Sequence, residues 1–160
     1  MKAWEKGIIL ATDIDSPPQL DYLYNAADRL YGQFARSCGL SSCAYWMLYE
    51  LVRAGGTASL RSIAIAWSYS KQTINSALKS LESRELIELS FEPGSRKSKQ
   101  ASLTPAGVVF AKENIVPGIE AERRAFRTLT ADERATLLEL ANKYTEALDA
   151  EFTSMNEGRG

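Results

Sequence analysis

Histidine is absent from this chain of 160 residues, and cysteine occurs only twice, as Cys38 and Cys43. The first absence removes Ser-His-Asp and Cys-His catalysis and every zinc site that needs imidazole. The second leaves too little sulfur for a disulfide framework, and a reducing cytoplasm is the expected setting. No apolar run approaches the roughly 18 residues of a membrane span, so no membrane partner is expected. The start, MKAWEKGIILATDIDS, lacks the long apolar core of a signal peptide. No glycine pattern of the Walker or Rossmann kind is present. These absences disfavour an enzyme, and no cofactor or metal is expected. An excess of one charge is lacking too: 19 basic residues stand against 20 acidic ones, a net charge of −1. Total charge is a weak guide to nucleic-acid binding, because binding depends on a local patch.

What is present is the composition of a folded protein, 45% apolar and 24% charged, long enough for one domain with helical extensions. Its most informative stretch is Ser70 to Glu88. Ile74, Ala77, Leu78 and Leu81 fall at i, i+3, i+4 and i+7, one stripe of an amphipathic helix. The opposite face carries Lys71, Gln72, Thr73, Asn75, Ser76, Lys79 and Ser80, with no acid before Glu82. Amides and hydroxyls of this kind hydrogen-bond base edges, and lysine contacts guanine or phosphate. Ser70 stands where an N-cap oxygen would satisfy the first free amides. Alone, the segment reads equally well as an ordinary surface helix.

Its neighbours decide between the two. Ser59 caps a short helix bearing Leu60, Ile63, Ala64 and Trp67, and Ser68-Tyr69 is a tight turn. A short helix, a three- or four-residue turn and a second helix make a helix-turn-helix, whose second helix enters the major groove. The turn lacks the frequent glycine. Beyond Leu86 the period changes to two: Ile87, Leu89 and Phe91 alternate as in a strand. Pro93-Gly94 is a turn signal, SRKSKQ (95–100) carries three cations and no acid, and QASLT returns as a second strand. The order is that of a winged helix, with Arg96, Lys97 and Lys99 at a basic hairpin tip suited to phosphate or minor-groove contact.

Outside this core the spacing predicts further helices. Pro17 and Pro18 suit a first turn, and Leu20, Leu23, Tyr24, Ala27, Leu30, Tyr31 and Phe34 follow at helical spacing until Gly39. Ser41 or Ser42 caps a helix to about Arg53, stopped by Ala54-Gly55-Gly56, and Thr57-Ala58 is a brief strand. Thr104-Pro105 opens a helical segment towards Leu129, kinked at Pro117-Gly118. Thr130-Ala-Asp-Glu133 is a capping-box sequence that opens a last helix with Leu137, Leu140, Ala141, Tyr144, Leu148 and Phe152 on one face. These stripes are too long to leave in water, so a homodimer is expected, with Leu20, Leu23, Tyr24, Leu137, Leu140, Tyr144 and Leu148 at its interface. The fold class is mainly α with a small β-hairpin wing. The expected divisions are a dimerisation region (17–37 and 108–155), a winged helix-turn-helix (41–107), and irregular or frayed termini (1–16 and 156–160).

This layout resembles the MarR family of bacterial winged helix-turn-helix transcriptional regulators. The resemblance rests chiefly on SKQTINSALKSLESRELI, which looks like the family's recognition helix, and on SLTPAG, similar to its closing L-T-x-x-G; GLSS after the first helix also fits. It implies a homodimer on palindromic double-stranded DNA and a regulator, a repressor in the usual case, relieved by a small molecule. The family's wing often carries Asp-x-Arg. Ser95 and Lys97 stand there in this chain, so the aspartate brace is missing and the lysine lacks arginine's planar fork; Arg96 is the nearest substitute. Within that frame Gln72, Thr73, Asn75, Ser76 and Lys79 face the groove, with Gln72, Thr73 and Ser76, nearest the helix N-terminus, the leading candidates for reading bases. Ser70 caps the helix, and Lys71, Arg96, Lys97 and Lys99 hold phosphates, with Arg61 a further phosphate candidate. The resemblance also implies an effector site near the first two helices, where Tyr31, Phe34, Tyr45, Trp46 and Tyr49 gather for a small aromatic ligand, though aromatics at helical spacing are commonly plain core. Cys43 lies near a helix N-terminus, which can lower a thiol pKa, but the favoured reading of Cys38 and Cys43 is two plain small residues. The rival reading is a winged-helix adaptor that binds protein and not specific DNA.

Overall fold

The computed structural model describes residues 17–158; the expectations for residues 1–16 and for the last two residues lie outside them. Its elements are α1 (Pro18–Ser37), α2 (Ser42–Arg53), β1 (Thr57–Ser59), α3 (Leu60–Trp67), α4 (Lys71–Ser83), β2 (Ile87–Phe91), β3 (Lys99–Leu103), α5 (Pro105–Asn114), α6 (Val116–Phe126) and α7 (Ala131–Glu157). The fold is mainly helical with one small antiparallel sheet, as its sequence periodicities predict.

Hydroxyl caps set where most of these helices begin. Ser41, Ser59, Ser70, Thr104 and Thr130 each accept a hydrogen bond from the amide three residues on. Each satisfies one of the donors a helix start leaves open, worth about 1 kcal/mol against alanine. At α7 the full reciprocal box forms, with the Thr130 amide donating to Glu133 Oε2 at 2.7 Å.

The chain makes two compact units, one ending at Gly118 and one beginning at Ile119. In the first unit α2 is the central element. Cys43, Ala44, Tyr45, Trp46, Met47, Leu48, Tyr49 and Leu51 are all buried, and a helix apolar on nearly every side belongs inside a core. Helices α1, α3 and α4 pack on it. The strands lie in the order β1-β3-β2, both pairings antiparallel. The hairpin follows from the alternation in 87–91, but the sheet has a third strand. The brief strand at Thr57 joins β3, with Thr57 opposite Ser102 and their hydroxyl oxygens 2.9 Å apart.

The L-T-x-x-G segment acts as a latch. Thr104 donates its amide to Leu86 O at 3.2 Å, its hydroxyl bonds Glu85 O, and Gly107 N donates to Thr104 Oγ1 at 2.9 Å. A Cβ on Gly107 would lie 1.9 Å from Leu86 O, so only glycine lets α5 approach the strand this closely.

Two boundaries differ from expectation. The segment after Thr104 is not one kinked helix: α5 and α6 are separate, broken at Ile115, and Pro117 is the second residue of α6. Proline has no N–H for the carbonyl four residues back, so the ladder breaks upstream of it, while the first turn of a new helix tolerates it. At the other end α7 keeps Asn156 and Glu157 helical, where fraying was expected, and the Gly158 amide closes on Ser154 O and Asn156 O. In the second unit the Arg134 guanidinium donates to Leu129 O and lies over Phe126.

Gly107→Ala is expected to destabilise by about 1–3 kcal/mol, since the added methyl meets backbone that cannot rotate away. Gly158→Ala, whose Cβ would find only ordinary contacts at 3.7 Å, is expected to stay within about 0.5 kcal/mol. Urea unfolding at constant m-value separates the two.

Candidate nucleic-acid interface

The apolar stripe of α4 is buried as its spacing requires: Ile74, Ala77, Leu78 and Leu81 all lie in the core, against α2. The stripe turns the other face outward, and Lys71, Gln72, Thr73, Asn75, Ser76 and Lys79 are all exposed. Not all these groups are equally free to read bases. Ser70 Oγ accepts from Thr73 N at 3.1 Å and lies 2.8 Å from Thr73 Oγ1, and Ser76 Oγ donates to Gln72 O at 3.0 Å. The side-chain amides of Gln72 and Asn75 have no protein partner among the described residues, so each keeps its donor and acceptor for a ligand.

The missing turn glycine is replaced by strain. Ser68 adopts the left-handed conformation, φ 50°, which is uncommon outside glycine and asparagine. Its neighbours hold it there. Trp67 stacks on Trp46 with ring centroids 3.8 Å apart, and its indole N–H donates to Glu50 Oε1 at 3.2 Å.

The wing runs in register from Ile87 opposite Leu103 to Phe91 opposite Lys99. At its tip Gly94 supplies a positive φ, and Ser95 Oγ accepts from Lys97 N at 3.2 Å and Ser98 N at 2.9 Å. Ser95 therefore braces the backbone of the tip, at the position where an aspartate would brace an arginine side chain. Arg61, Lys71, Lys79, Arg96, Lys97 and Lys99 are all exposed, and among the described residues none of them pairs with a carboxylate; an ion pair joins Arg53 and Glu50 instead. Sequence reasoning missed Phe91. Alternation puts it on the buried side with Ile87, yet it is 54% exposed, with the Lys99 ammonium 5.9 Å from its ring centroid.

The five aromatics expected near an effector do come together. Tyr31–Trp46, Phe34–Tyr45 and Trp46–Tyr49 have ring centroids 4.7, 5.7 and 5.1 Å apart, and Trp67 completes the cluster. Tyr45, Trp46 and Tyr49 are core, while Tyr31 and Phe34 are half-buried. A separate open apolar groove of about 250 Å³ is lined by Val52, Gly55, Gly56, Leu103, Val108, Ala111, Lys112 and Val116 and includes none of the five.

Cys43 fits the plain reading of a small buried residue better than a redox role. The thiol is buried, and burial pushes its pKa up instead of down, so the nucleophilic thiolate is disfavoured. Both cysteines are free thiols, and Cys38 Sγ points at Asn114 O, 3.6 Å away. The Tyr69 phenol is also pushed up, first by burial and then by the nearby Cys43 and Asp28. A raised acid stays protonated in the folded chain while the unfolded chain ionises, so stability is complete below the unfolded pKa and is lost as pH rises. Urea midpoints are expected to hold through neutrality and fall above about pH 8.5, where an unfolded thiol ionises. Cys43→Ala should remove the onset of that fall, and Tyr69→Phe its later part.

Comparison with known proteins bears on the whole arrangement. Residues 38–98, which span α2, the helix-turn-helix and most of the wing, match the family model described as MarR family. No curated protein matches the chain by sequence. Among solved structures, a MarR family regulator from Neisseria meningitidis is 22% identical, with a TM-score of 0.74 over 86% of this chain and 96% of its own. A mutant MarR from E. coli complexed with operator DNA is 19% identical, with a TM-score of 0.60 over 86% and 98%. Bordetella bronchiseptica BpsR, whose DNA binding is regulated by 6-hydroxynicotinic acid, is 21% identical, with a TM-score of 0.57 over 79% and 98%. At these identities the likenesses establish a shared fold. The MarR family model is thus matched over the segment from α2 to the wing, and the winged-helix fold around that segment is shared with solved MarR family structures.

Proposed function

We propose that the chain is a MarR family transcription regulator that acts as a homodimeric, sequence-specific repressor on a palindromic operator, in the cytoplasm. One observation carries the reading: among the described residues the exposed face of α4 holds side-chain amides without a partner at Gln72 and Asn75, and no carboxylate pairs with the cations around it. Amides read bases, and free cations hold phosphates. Arg61, Lys71, Arg96, Lys97 and Lys99 are assigned to phosphate. Gln72 and Asn75 are assigned to base edges, supported by Thr73, Ser76 and Lys79.

The dimer is supported by apolar faces without a partner. Leu23 and Tyr24 of α1 are 50% and 52% exposed, and Leu137 and Leu140 of α7 are 48% and 57% exposed. Helix α7 buries none of its residues. Such surface is costly to leave in water, and a two-fold dimer would cover it with Leu20, Leu23 and Tyr24 on one helix and Leu137, Leu140, Tyr144 and Leu148 on the other. We assign relief of binding to a small aromatic effector entering beside Tyr31 and Phe34, the half-buried rings of a cluster that also includes Tyr45, Trp46 and Tyr49. It would act by favouring a dimer whose recognition helices no longer match successive major grooves.

Selection of bound genomic DNA at physiological salt is expected to return a palindromic site; recovery without sequence preference would support the adaptor reading instead. On that site Gln72→Ala is expected to relax base preference by roughly 1–3 kcal/mol. Lys99→Ala is expected to weaken all sequences alike and to lower the salt slope by about 1. Leu140→Glu is expected to shift the protein towards monomer in sedimentation, with DNA affinity falling alongside.

A further inference from the structure

We propose that Phe91 is a positioning residue of the wing: its ring holds the Lys99 ammonium in place to meet a DNA phosphate. The inference rests on the phosphate role given to Lys99 above and adds a residue that the polar pattern does not reveal.

The strands explain how the pair arises. Ile87, Leu89 and Phe91 share one face of β2, and Lys99, Ala101 and Leu103 share one face of β3. At the base of the sheet this face closes the core, with Ile87 and Ala101 buried. The hairpin then outruns the domain. By its last registered pair, Phe91 opposite Lys99, no core remains for a phenyl ring to enter, and Phe91 is left in water. A threonine or a charged residue would be the ordinary occupant of such a position. What the ring meets instead is the Lys99 ammonium, 5.9 Å from its centroid, at the outer limit of the attractive range for a cation over an aromatic face.

The choice of a ring has a consequence that a carboxylate would not have. An acid opposite Lys99 would hold the amine and cancel its charge. A quadrupole attracts the amine and leaves the full charge to act on phosphate. A lysine in open water must also give up rotamer freedom when it docks, and a side chain already confined over a ring has less to lose.

The test is a double-mutant cycle, with affinity for a short mixed-sequence duplex measured at several salt concentrations. No operator is needed, because phosphate contact is independent of sequence. Phe91→Leu is expected to weaken binding about two- to fivefold. Phe91→Trp is expected to preserve binding, because it keeps an aromatic face. Lys99→Ala is expected to weaken binding and lower the salt slope, and the double variant is expected to bind no worse than Lys99→Ala alone. Additive losses would mean that Phe91 touches DNA itself and would overturn the inference. So would an unaffected Phe91→Leu beside a weakened Lys99→Ala, with the phosphate role of Lys99 intact. If Lys99→Ala leaves binding unchanged, that role fails and the positioning role fails with it. A measurement without DNA stands beside these. The Lys99 ε-methylene protons should be ring-shifted upfield, and the shift should vanish in Phe91→Leu; its absence from the unaltered protein would overturn the pairing.

Discussion

The polar face of α4 depends on how its other face is held. Ile74, Ala77, Leu78 and Leu81 are drawn against α2, and burial of such side chains contributes roughly 1.5–3 kcal/mol for each large one. That attraction sets the rotation of the helix about its own axis. Side chains at the intervening positions then have no choice but to point outward. The orientation of the polar face is thus fixed by apolar contacts, and none of its own hydrogen bonds is needed to aim it. The central helix can serve this purpose because it is itself apolar nearly all round, so each element packed on it is oriented by the same rule.

Hydroxyl groups divide the chain around that core. Serines and threonines at positions 41, 59, 70, 104 and 130 each begin a helix by accepting a backbone amide. At Ser70 this has a functional side. The oxygen is committed to Thr73, and the Ser76 proton is committed to Gln72 O. Position near the helix N-terminus alone would favour Gln72, Thr73 and Ser76. The hydrogen bonds engage Ser70 and Ser76 and leave the side-chain amides of Gln72 and Asn75 without a partner among the described residues.

The wing shows a similar redistribution. In place of an aspartate-braced arginine, Ser95 secures the backbone of the tip, and among the described residues no carboxylate pairs with the cations around it. A backbone-braced tip with separate point charges suits phosphate contact better than bidentate recognition, because lysine lacks the planar fork. The aromatic cluster on α1 and α2 extends to Trp67, the last residue of α3, so the packing of the first two helices reaches directly to the turn that precedes α4.

Local chemistry determined much of this protein by itself. Apolar spacing of three and four marked α4 and its buried stripe, alternation marked β2, and cap residues marked the starts of α2, α3, α4, α5 and α7, because each of these signals acts within a few residues along the chain. Other features needed the tertiary structure, because they depend on what a residue meets across space. The third strand forms where Thr57 finds Ser102. Ser68 accepts a left-handed backbone because Trp67 is pinned on Trp46. The Cys43 thiol is pushed up because the fold buries it. Phe91 is exposed because the hairpin extends past the core that alternation assigned to it. Spacing decides which face a side chain shares; only the fold decides whether anything lies there to bury it.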